Sequence, residues 1–493
     1  MLLVVLLPQS GKKPLRKANL SFIIKFGIIV VNSHRIELPQ ISFHICSCRP
    51  GRGSSRPIFL TSRKEHTVSI LVRQGRLVDP VGGIGGIMDI LIEDGKIAVI
   101  GSDLSSSDAQ VLDAHGLIVC AGLVDLHAHL GEPAGGDAVN VGAKAAAAGG
   151  FTSVACMPDL PDILDTPGEV KALTVRAGMA QRTGARVWPV AAVSEGRRGY
   201  AVNDYAALKK AGAVALCDAS PIRNANLMRD AMILAHRQGL TLLACCEDAD
   251  LCQDFAVNEG RISRRLRIPG RPAIAEELQV MREVMLAEET GAAIHICHVS
   301  TAKAVAIIRR YKRKGVRVTC GTCPQYFTFT EDEVLTQGAT ARVCPPLRTA
   351  ADVEGIIEGL KDGTIDVIAS GHVPRSQEET ALPLAKAPGG IASLETAFAA
   401  TLTALYHTGE MRPSDILRKM TTNPAWILRL PNMGRLAVGS EADLILFDPN
   451  EQWTVEPEKF VSSAHNTPFT GRTLIGKIKC TLVGGEIVYP SKE

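Results

Sequence analysis

The chain has 493 residues, 46% of them hydrophobic and 21% charged, a composition typical of a globular enzyme with room for one large and one smaller domain. Its formal net charge of +3 is small for this length and gives no indication of nucleic acid or an anionic membrane as partner. The 13 cysteines are odd in number and scattered, which predicts reduced thiols and a cytoplasmic protein rather than a disulfide framework.

Residues 1–64 differ in composition from the rest of the chain. They contain one acidic residue, Glu37, against eleven lysines and arginines. An acid-poor leader of this kind is typical of an organellar transit peptide, whereas an extension outside the fold is the simpler interpretation. The apolar piece Phe22–Val31 is interrupted by Lys25 and is too short to span a bilayer. We therefore interpret residues 1–66 as a leader or disordered extension.

From residue 67 the pattern changes to short apolar runs separated by Gly and Asp turns, of which Glu93-Asp94-Gly95 is a good hairpin signal. The same pattern returns near the end of the chain. It predicts a small β-sandwich domain built from both chain ends, residues 67–121 and 433–493. The predicted strands are Val68–Val72, Asp89–Ile92, Lys96–Ile100, Leu117–Cys120, Ala442–Phe447, Arg472–Leu474 and Cys480–Val488.

Between these parts, residues 122–432 repeat a short apolar strand followed in most cases by a segment rich in Ala, Leu, Glu and Lys. Eight such strands predict a (β/α)₈ TIM-type barrel. A doubly wound sheet is the alternative, but no Gly-rich dinucleotide loop follows any strand. The predicted barrel strands are Leu123–His127, Thr152–Met157, Arg186–Val193, Ala213–Cys217, Thr241–Cys245, Ala293–His298, Val316–Cys320 and Ile365–Ala369.

In such a barrel the chemistry lies where the strands end. The first strand ends in His127-Ala128-His129, and alternation along a strand turns both imidazoles to one side, within reach of one metal ion. Other polar and sulfur side chains follow later strands: Asp218 after the fourth, Cys245 to Asp248 at the fifth, His298 at the sixth and His372 at the eighth.

The stretch Gly122-Leu-Val-Asp-Leu-His-Ala-His-Leu-Gly-Glu-Pro133 resembles the opening of dihydroorotases and related cyclic amidohydrolases. The resemblance runs from about Leu71 to about Val488, with the motifs in the family's order. Further motifs that carry it are Arg271–Glu277, His295–Thr301, Pro345–Arg348, Asp362–Asp366, Thr422–Pro424 and Asn466–Phe469.

The resemblance implies a zinc site that is only partly kept. The family's two first-strand histidines match His127 and His129, and its strand-six histidine matches His298. The strand-four position, a carboxylated lysine or an aspartate in the family, is Asp218. The strand-five histidine is replaced by Cys245, which is either a soft fourth ligand or a small apolar residue filling the space. We expect one zinc ion at most.

Other departures fall on the family's proton-transfer and substrate positions. The strand-eight aspartate that ligates metal and moves the proton is replaced by Gly371, and the arginine that clamps the substrate carboxylate is replaced by Gly131. The asparagine after Met-Pro is Asp159, which would repel a dianionic substrate. Two further substrate positions hold Gln325 and Cys344.

Loss of a general base typically lowers the rate by about 10²–10⁴-fold, and strand alternation turns His372 away from the position of Gly371. The resemblance therefore predicts a catalytically impaired dihydroorotase-like protein of de novo pyrimidine biosynthesis, oligomeric and a structural partner of aspartate carbamoyltransferase. The alternative is an active zinc-dependent cyclic amidohydrolase, a dihydroorotase or one with a changed substrate, in which Asp218 or Asp159 supplies the carboxylate. A defective gene product, suggested by the leader, is the third hypothesis.

Overall fold

A computed structural model of the protein describes residues 28–31, 34–37, 69–131, 138–253 and 255–490. The chain forms two units, Met1–Lys64 and Glu65–Glu493. In the first unit, strands at Ile28–Val31 and His34–Glu37 pair antiparallel from Val31 opposite His34 to Ile28 opposite Glu37. The rest of the predicted leader lies outside the described residues.

The described strands are numbered in chain order: β1 Ile28–Val31, β2 His34–Glu37, β3 Ile70–Val78, β4 Gly85–Glu93, β5 Lys96–Gly101, β6 Gln110–Asp113, β7 Ile118–Ala121, β8 Leu123–Ala128, β9 Phe151–Cys156, β10 Arg186–Ala191, β11 Ala215–Leu216, β12 Thr241–Ala244, β13 Val257–Asn258, β14 Gly270–Arg271, β15 Ile294–Ile296, β16 Val318–Thr322, β17 Val367–Ile368, β18 Leu444–Thr454, β19 Thr473–Val483 and β20 Glu486–Tyr489.

The described α-helices are α1 Ala138–Ala148, α2 Pro167–Ala180, α3 Tyr205–Ala211, α4 Ala225–Gln238, α5 Ala249–Cys252, α6 Arg261–Leu266, α7 Ala273–Thr290, α8 Ala302–Arg313, α9 Gln325–Thr328, α10 Glu333–Gln337, α11 Ala350–Lys361, α12 Gln377–Thr380, α13 Ala397–Thr401, α14 Pro413–Met420 and α15 Thr422–Ile427. Several begin at a side-chain cap, as where Thr301 accepts from Ala304 N at the start of α8. Among the described residues, no helix is both long enough and apolar enough to cross a bilayer.

Eight parallel strands form the barrel, in the order β17-β16-β15-β12-β11-β10-β9-β8. A bridge between Ala128 and His372 closes the ring, and His129 N donates to His372 O at 2.9 Å. All eight strands predicted from the sequence are present, so the predicted barrel is confirmed. Its carboxyl ends gather the loops that follow each strand, which is where such a barrel places its site.

The strand residues divide between two buried clusters, as alternation along a strand requires. Phe151, Val154 and Leu242 pack with residues of the surrounding helices. The second cluster contains the alternate strand residues, such as Leu126 and Leu243, which fill the barrel interior.

Strands from both chain ends form a second sheet of eight strands, in the order β20-β19-β18-β7-β3-β4-β5, with β6 beside β3. Leu444 of β18 pairs with Ala121 of β7, so the C-terminal strands join directly onto the N-terminal ones. This confirms that the predicted small β-sandwich domain is a β-rich part built from both chain ends, and its strands form one continuous sheet. The predicted strand Cys480–Val488 is divided by a turn at Gly484 and Gly485, whose φ angles are 56° and 78°. The domain boundaries at 121/122 and 432/433 stay a prediction.

Candidate metal and active site

Two histidines from the first barrel strand face each other across a short gap. His127, which is 5% exposed, lies in β8, and His129 follows its end. The pairing of β8 with β9 shifts register between Asp125 and Ala128, an irregularity of the kind that re-aims side chains beside a site. The two Nε2 atoms are 3.1 Å apart. Two imidazoles bound to one tetrahedral zinc at about 2.0–2.1 Å would place their nitrogens roughly 3.3 Å apart, close to this separation.

Asp159 orients the second of these imidazoles. His129 Nδ1 is 2.6 Å from Asp159 Oδ2, and the two side chains are 14% and 27% exposed. Burial raises the pKa of Asp159, but the neighbouring His129, its hydrogen bond and Arg197 outweigh it, so the net shift is downward. The ionised carboxylate accepts the Nδ1 proton and leaves the His129 Nε2 lone pair for a metal ion. The carboxylate expected to repel substrate is therefore engaged by His129.

His298 and Cys245 bring two further donors to His127. One ligand atom from each of the three residues lies within 4.8 Å of the others. The Nδ1 atoms of His127 and His298 are buried without a hydrogen-bond partner. Burial lowers the pKa of His127 well below its usual range and that of His298 to about 4, so both rings are neutral near pH 7 and offer lone pairs. His298 also has a φ of 37°, a strained value for a residue with a side chain.

Three thiols line the barrel beside this group. Cys217, Cys245 and Cys297 each directly follow the last residue of a strand, β11, β12 and β15. The Sγ atoms of Cys217 and Cys245 are 4.0 Å apart, and Cys297 is also within hydrogen-bonding reach of Cys245. The hydrogen bond from Cys217 lowers the pKa of Cys245, but the Cys297 contact and burial raise it more, so without a metal ion Cys245 is a thiol.

Asp218, the sequence-predicted ligand from the fourth strand, lies outside this group. Its Oδ2 accepts from Ser194 Oγ at 2.6 Å and its Oδ1 accepts from Ser194 N at 3.0 Å. Arg197 Nε donates to the Asp218 carbonyl oxygen at 2.6 Å. The hydrogen bonds of Asp218 therefore join the loop after β10 to the end of β11.

Gly371 occupies the family's aspartate position, and the space around it is filled. Its φ is 64°, and a Cβ built there would lie 2.7 Å from Cys323 Sγ and 3.1 Å from Gln325 Nε2. The next residue, His372, is fully buried, and its Nδ1 accepts from Ser393 N at 3.1 Å. The His372 ring is thus held by the backbone of Ser393, and its direction relative to Gly371 stays a prediction.

Gly131, at the family's arginine position, is exposed, and among the described residues a Cβ there would meet Leu160 Cδ2 alone, at 3.8 Å. A cation missed by the sequence reasoning lies elsewhere in the loops: Arg271 Nη1 is 2.6 Å from Glu247 Oε2 and 2.7 Å from Cys344 Sγ. Arg271 opens one of the motifs that carried the family resemblance, and Glu247 is one of the residues at the end of the fifth strand; these were the signals that pointed to them.

The donor set fits one metal ion. His127, Cys245 and His298 supply two imidazole nitrogens and one sulfur, and His129, whose Nε2 is 3.1 Å from that of His127, lies beside them as a further imidazole; nitrogen and sulfur ligands of this kind are typical of zinc. Such an ion would face His127 through Nε2, beside His129, and the orphaned Nδ1 atom of His298 is available to it. Among the described residues, the two expected carboxylate positions offer no second set, because Ser194 holds Asp218 and Gly371 has no side chain.

Comparison with known sequences identifies similar proteins along most of the chain. Residues 116–304 match the family described as Dihydro-orotase-like, and residues 387–489 match the Amidohydrolase family. A dihydroorotase of Pelotomaculum thermopropionicum is 42% identical over 428 residues, which cover 86% of this chain and 99% of that protein. A dihydroorotase of Syntrophus aciditrophicus is 42% identical over 427 residues, with the same coverage.

Solved structures with the same architecture are cyclic amidohydrolases. The dihydropyrimidinase of Brevibacillus agri has a TM-score of 0.74 at 25% identity and covers 85% of this chain and 94% of its own. The L-hydantoinase (dihydropyrimidinase) of Arthrobacter aurescens has a TM-score of 0.75 at 25% identity, covering 86% and 96%. These similarities agree with the barrel and the second sheet described above.

Proposed function

This chain belongs to the dihydroorotase family, and from that membership we propose that it serves pyrimidine metabolism as a dihydroorotase-like protein with little catalytic turnover of its own. In this proposal it holds one zinc ion and acts as a structural partner of aspartate carbamoyltransferase. The proposed location is the cytoplasm. One observation supports the loss of turnover. Gly371 offers no side chain at the family's aspartate position, and Cys323 and Gln325 occupy the space beside it.

Opening or closing a cyclic amide needs a proton moved to or from the ring nitrogen, which in this family is the task of the strand-eight aspartate. A bound zinc ion would polarise the reacting carbonyl and lower the pKa of a water. Neither effect replaces the group that moves the proton. Gly371 has no side chain, and Cys323 and Gln325 fill the space beside it. We expect a deficit of about 10²–10⁴-fold from this loss alone.

Substrate binding is weakened for a separate reason. Gly131 removes the arginine that would grip the substrate carboxylate by two parallel hydrogen bonds. Asp159 places a negative charge beside His129, where an anionic substrate would have to bind. Arg271 does not compensate directly, because Glu247 already neutralises its charge at 2.6 Å.

The proposed partnership rests on the contrast between scaffold and site. The chain aligns with 99% of the length of the Pelotomaculum relative, whereas the departures from the family pattern, such as Gly131, Cys245 and Gly371, follow the barrel strands at their carboxyl ends. The outer surfaces of the barrel and the second sheet are what a transferase partner would recognise. The same reasoning supports an oligomeric assembly.

A second candidate function is favoured by one specific observation. The chain is 42% identical to proteins named dihydroorotase, and an ionised carboxylate, Asp159, still lies beside the metal group. An active cyclic amidohydrolase would use Asp159 in the proton transfer that Gly371 lacks. The substrate would then be dihydroorotate or another cyclic amide.

One preparation tests both candidates. The purified full chain is assayed for carbamoyl-aspartate cyclisation and for metal content, with the Pelotomaculum thermopropionicum dihydroorotase as positive control. We expect at most one zinc per chain and a kcat/KM at least about 10²-fold below the control. A comparable kcat/KM would overturn the first candidate and favour the second.

The partnership is tested by size-exclusion chromatography with light scattering, on the chain mixed with aspartate carbamoyltransferase from the same source. A complex of defined stoichiometry is expected. Separate elution of the two proteins at micromolar concentrations would overturn this part of the proposal without affecting the assay result.

A further inference from the structure

We propose that Cys245 is a thiolate ligand, so that the barrel holds a single thiophilic ion on a sulfur and imidazole set, with Cys217 and Cys297 as the neighbours that position its sulfur. The inference rests on the proposed metal-holding role of this site and is independent of the proposed loss of turnover.

The first support is the direction of the side chain. Cys245 lies in the barrel-interior cluster, and its Sγ is within 4.8 Å of the ligand atoms of His127 and His298. The adjacent Cys246 belongs to the cluster that packs with the helices, and its Sγ is 3.9 Å from Ala244 O. Of this pair, only Cys245 faces the group.

The second support is independent of the thiols. The Nδ1 atom of His298 is buried and has no hydrogen-bond partner, which is costly for a polar atom unless something else satisfies it. His298 is also held at a φ of 37°. Strain and an orphaned nitrogen in the same residue indicate a site built for a ligand rather than for packing.

The third support is the surroundings of the sulfur. Cys217 Sγ is 4.0 Å from Cys245 Sγ, and Cys297 lies on the following barrel strand. Both carry S–H groups that can donate to a thiolate, as outer partners do around other metal ligands. When the sulfur–metal bond forms, the Cys245 proton passes to solvent, and the metal charge compensates the anion.

This donor set favours a particular class of ion. Thiolate sulfur and neutral imidazole prefer zinc, cadmium or copper(I), whereas magnesium and manganese prefer carboxylate and water. The expected carboxylate positions contribute no oxygen ligand, because the Asp218 carboxylate is hydrogen-bonded to Ser194 and Gly371 has no side chain. The site is therefore expected to discriminate strongly against oxygen-preferring ions.

The test uses the metal-stripped full chain titrated with Co²⁺, with Zn²⁺ and Cd²⁺ as competitors. One equivalent of Co²⁺ should bind and give an intense near-ultraviolet sulfur-to-cobalt charge-transfer band, and excess Mg²⁺ should not displace it. Cys245→Ser should abolish the band and weaken Zn²⁺ binding by more than the roughly 10–100-fold typical of losing an outer partner. Cys246→Ser is the matched control and should leave both unchanged.

Cys245→His keeps the test decisive if the serine variant folds poorly. It should bind one Co²⁺ in a nitrogen-only set without the sulfur band. Stoichiometric binding without a sulfur band in the unmodified chain would overturn the thiolate assignment while leaving the metal-holding role intact. Binding of less than one ion per chain would overturn both, and a band that persists in Cys245→Ser would assign the ligand to another cysteine.

Discussion

Asp159 fixes which nitrogen of His129 faces the metal group, through a 2.6 Å contact between its Oδ2 and His129 Nδ1. Replacing it by the family's asparagine, Asp159→Asn, removes the negative charge but keeps the shape. We expect zinc affinity to fall about 10–100-fold, because an amide is a weaker acceptor and can turn its NH₂ group towards the ring. Competition with a chromophoric chelator measures this change.

The control is Asp162→Asn, in the same loop and exposed. It should leave zinc affinity unchanged. If both variants bind zinc as the unmodified chain does, Asp159 does not orient His129 for a metal ion.

Gly371 departs from the family at a place where the structure leaves no room for the family residue. For Gly371→Asp we expect a loss of about 1–3 kcal/mol in the free energy of unfolding, because φ is 64° and the Cβ would lie 2.7 Å from Cys323 Sγ. Carbamoyl-aspartate cyclisation should not appear. Urea unfolding and the cyclisation assay measure the two effects.

Two further variants separate steric conflict from other causes. Adding Cys323→Ala to Gly371→Asp should restore part of the lost stability, because the nearest atom is then removed. Gly131→Arg should be tolerated, because Gly131 is exposed and a Cβ there lies 3.8 Å from Leu160 Cδ2, an ordinary van der Waals distance. A stable and active Gly371→Asp single variant would contradict the steric argument.

At the scale of the elements, Glu276 at the start of α7 joins β15, α8 and the Arg348 loop. Its Oε1 accepts from Ser300 N at 2.9 Å and from Thr301 N at 3.0 Å, and its Oε2 is 3.6 Å from Arg348 Nη2. The side chains of Glu276 and Arg348 are 2% and 1% exposed. This buried pair holds the loop that follows His298.

Glu276→Ala should therefore lower the free energy of unfolding by about 3 kcal/mol, because the buried Arg348 loses its nearer carboxylate partner and keeps Glu247, 3.9 Å away. Chemical denaturation measures the change. The control is Glu288→Ala on the same helix, where a half-exposed carboxylate is 3.1 Å from Lys314 and the expected loss is within about 1 kcal/mol. Equal losses for the two variants would show that the buried pair has no special role.

The barrel strands were predictable because each is a short apolar run followed by polar residues, and this pattern needs no tertiary information. His127, His298 and Cys245 were predictable from their places at strand ends. The adjacency of Cys217 to Cys245 was not, because it depends on the parallel register that puts β11 beside β12.

Asp218 illustrates a different limit. Its position at the end of the fourth strand is correct, but the direction of its carboxylate is set by Ser194, which lies 24 residues earlier in the chain. Which partner a buried carboxylate chooses is decided by tertiary hydrogen bonds, and no local pattern encodes it. β6 was missed for a similar reason, since Gln110–Asp113 has no clear apolar alternation and is held by pairing with β3.

At the scale of the whole second unit, Arg186 ties the barrel to the second sheet. Its Nε is 3.0 Å from Asp443 Oδ2 and its Nη2 is 3.2 Å from Asp443 Oδ1, a bidentate pair between β10 and the residue before β18. Glu441 adds a third contact at 3.2 Å. Asp443 is 4% exposed and also accepts from Gly484 N at 2.6 Å, so the pair anchors the turn between β19 and β20 as well.

Arg186→Ala should destabilise the protein by on the order of 3 kcal/mol, because the buried Asp443 loses its counter-charge. It should also separate unfolding of the second sheet from unfolding of the barrel, which differential scanning calorimetry would record as a broadened or split transition.

Arg229→Ala breaks an exposed pair with Glu289 and should lower the free energy of unfolding by no more than about 1 kcal/mol without splitting the transition. Asp443→Asn combined with Arg186→Ala should be less destabilised than the sum of the single variants, because the uncompensated charge is gone. Additive losses would mean that Arg186 and Asp443 do not stabilise each other, which would overturn this account of how the two parts are joined.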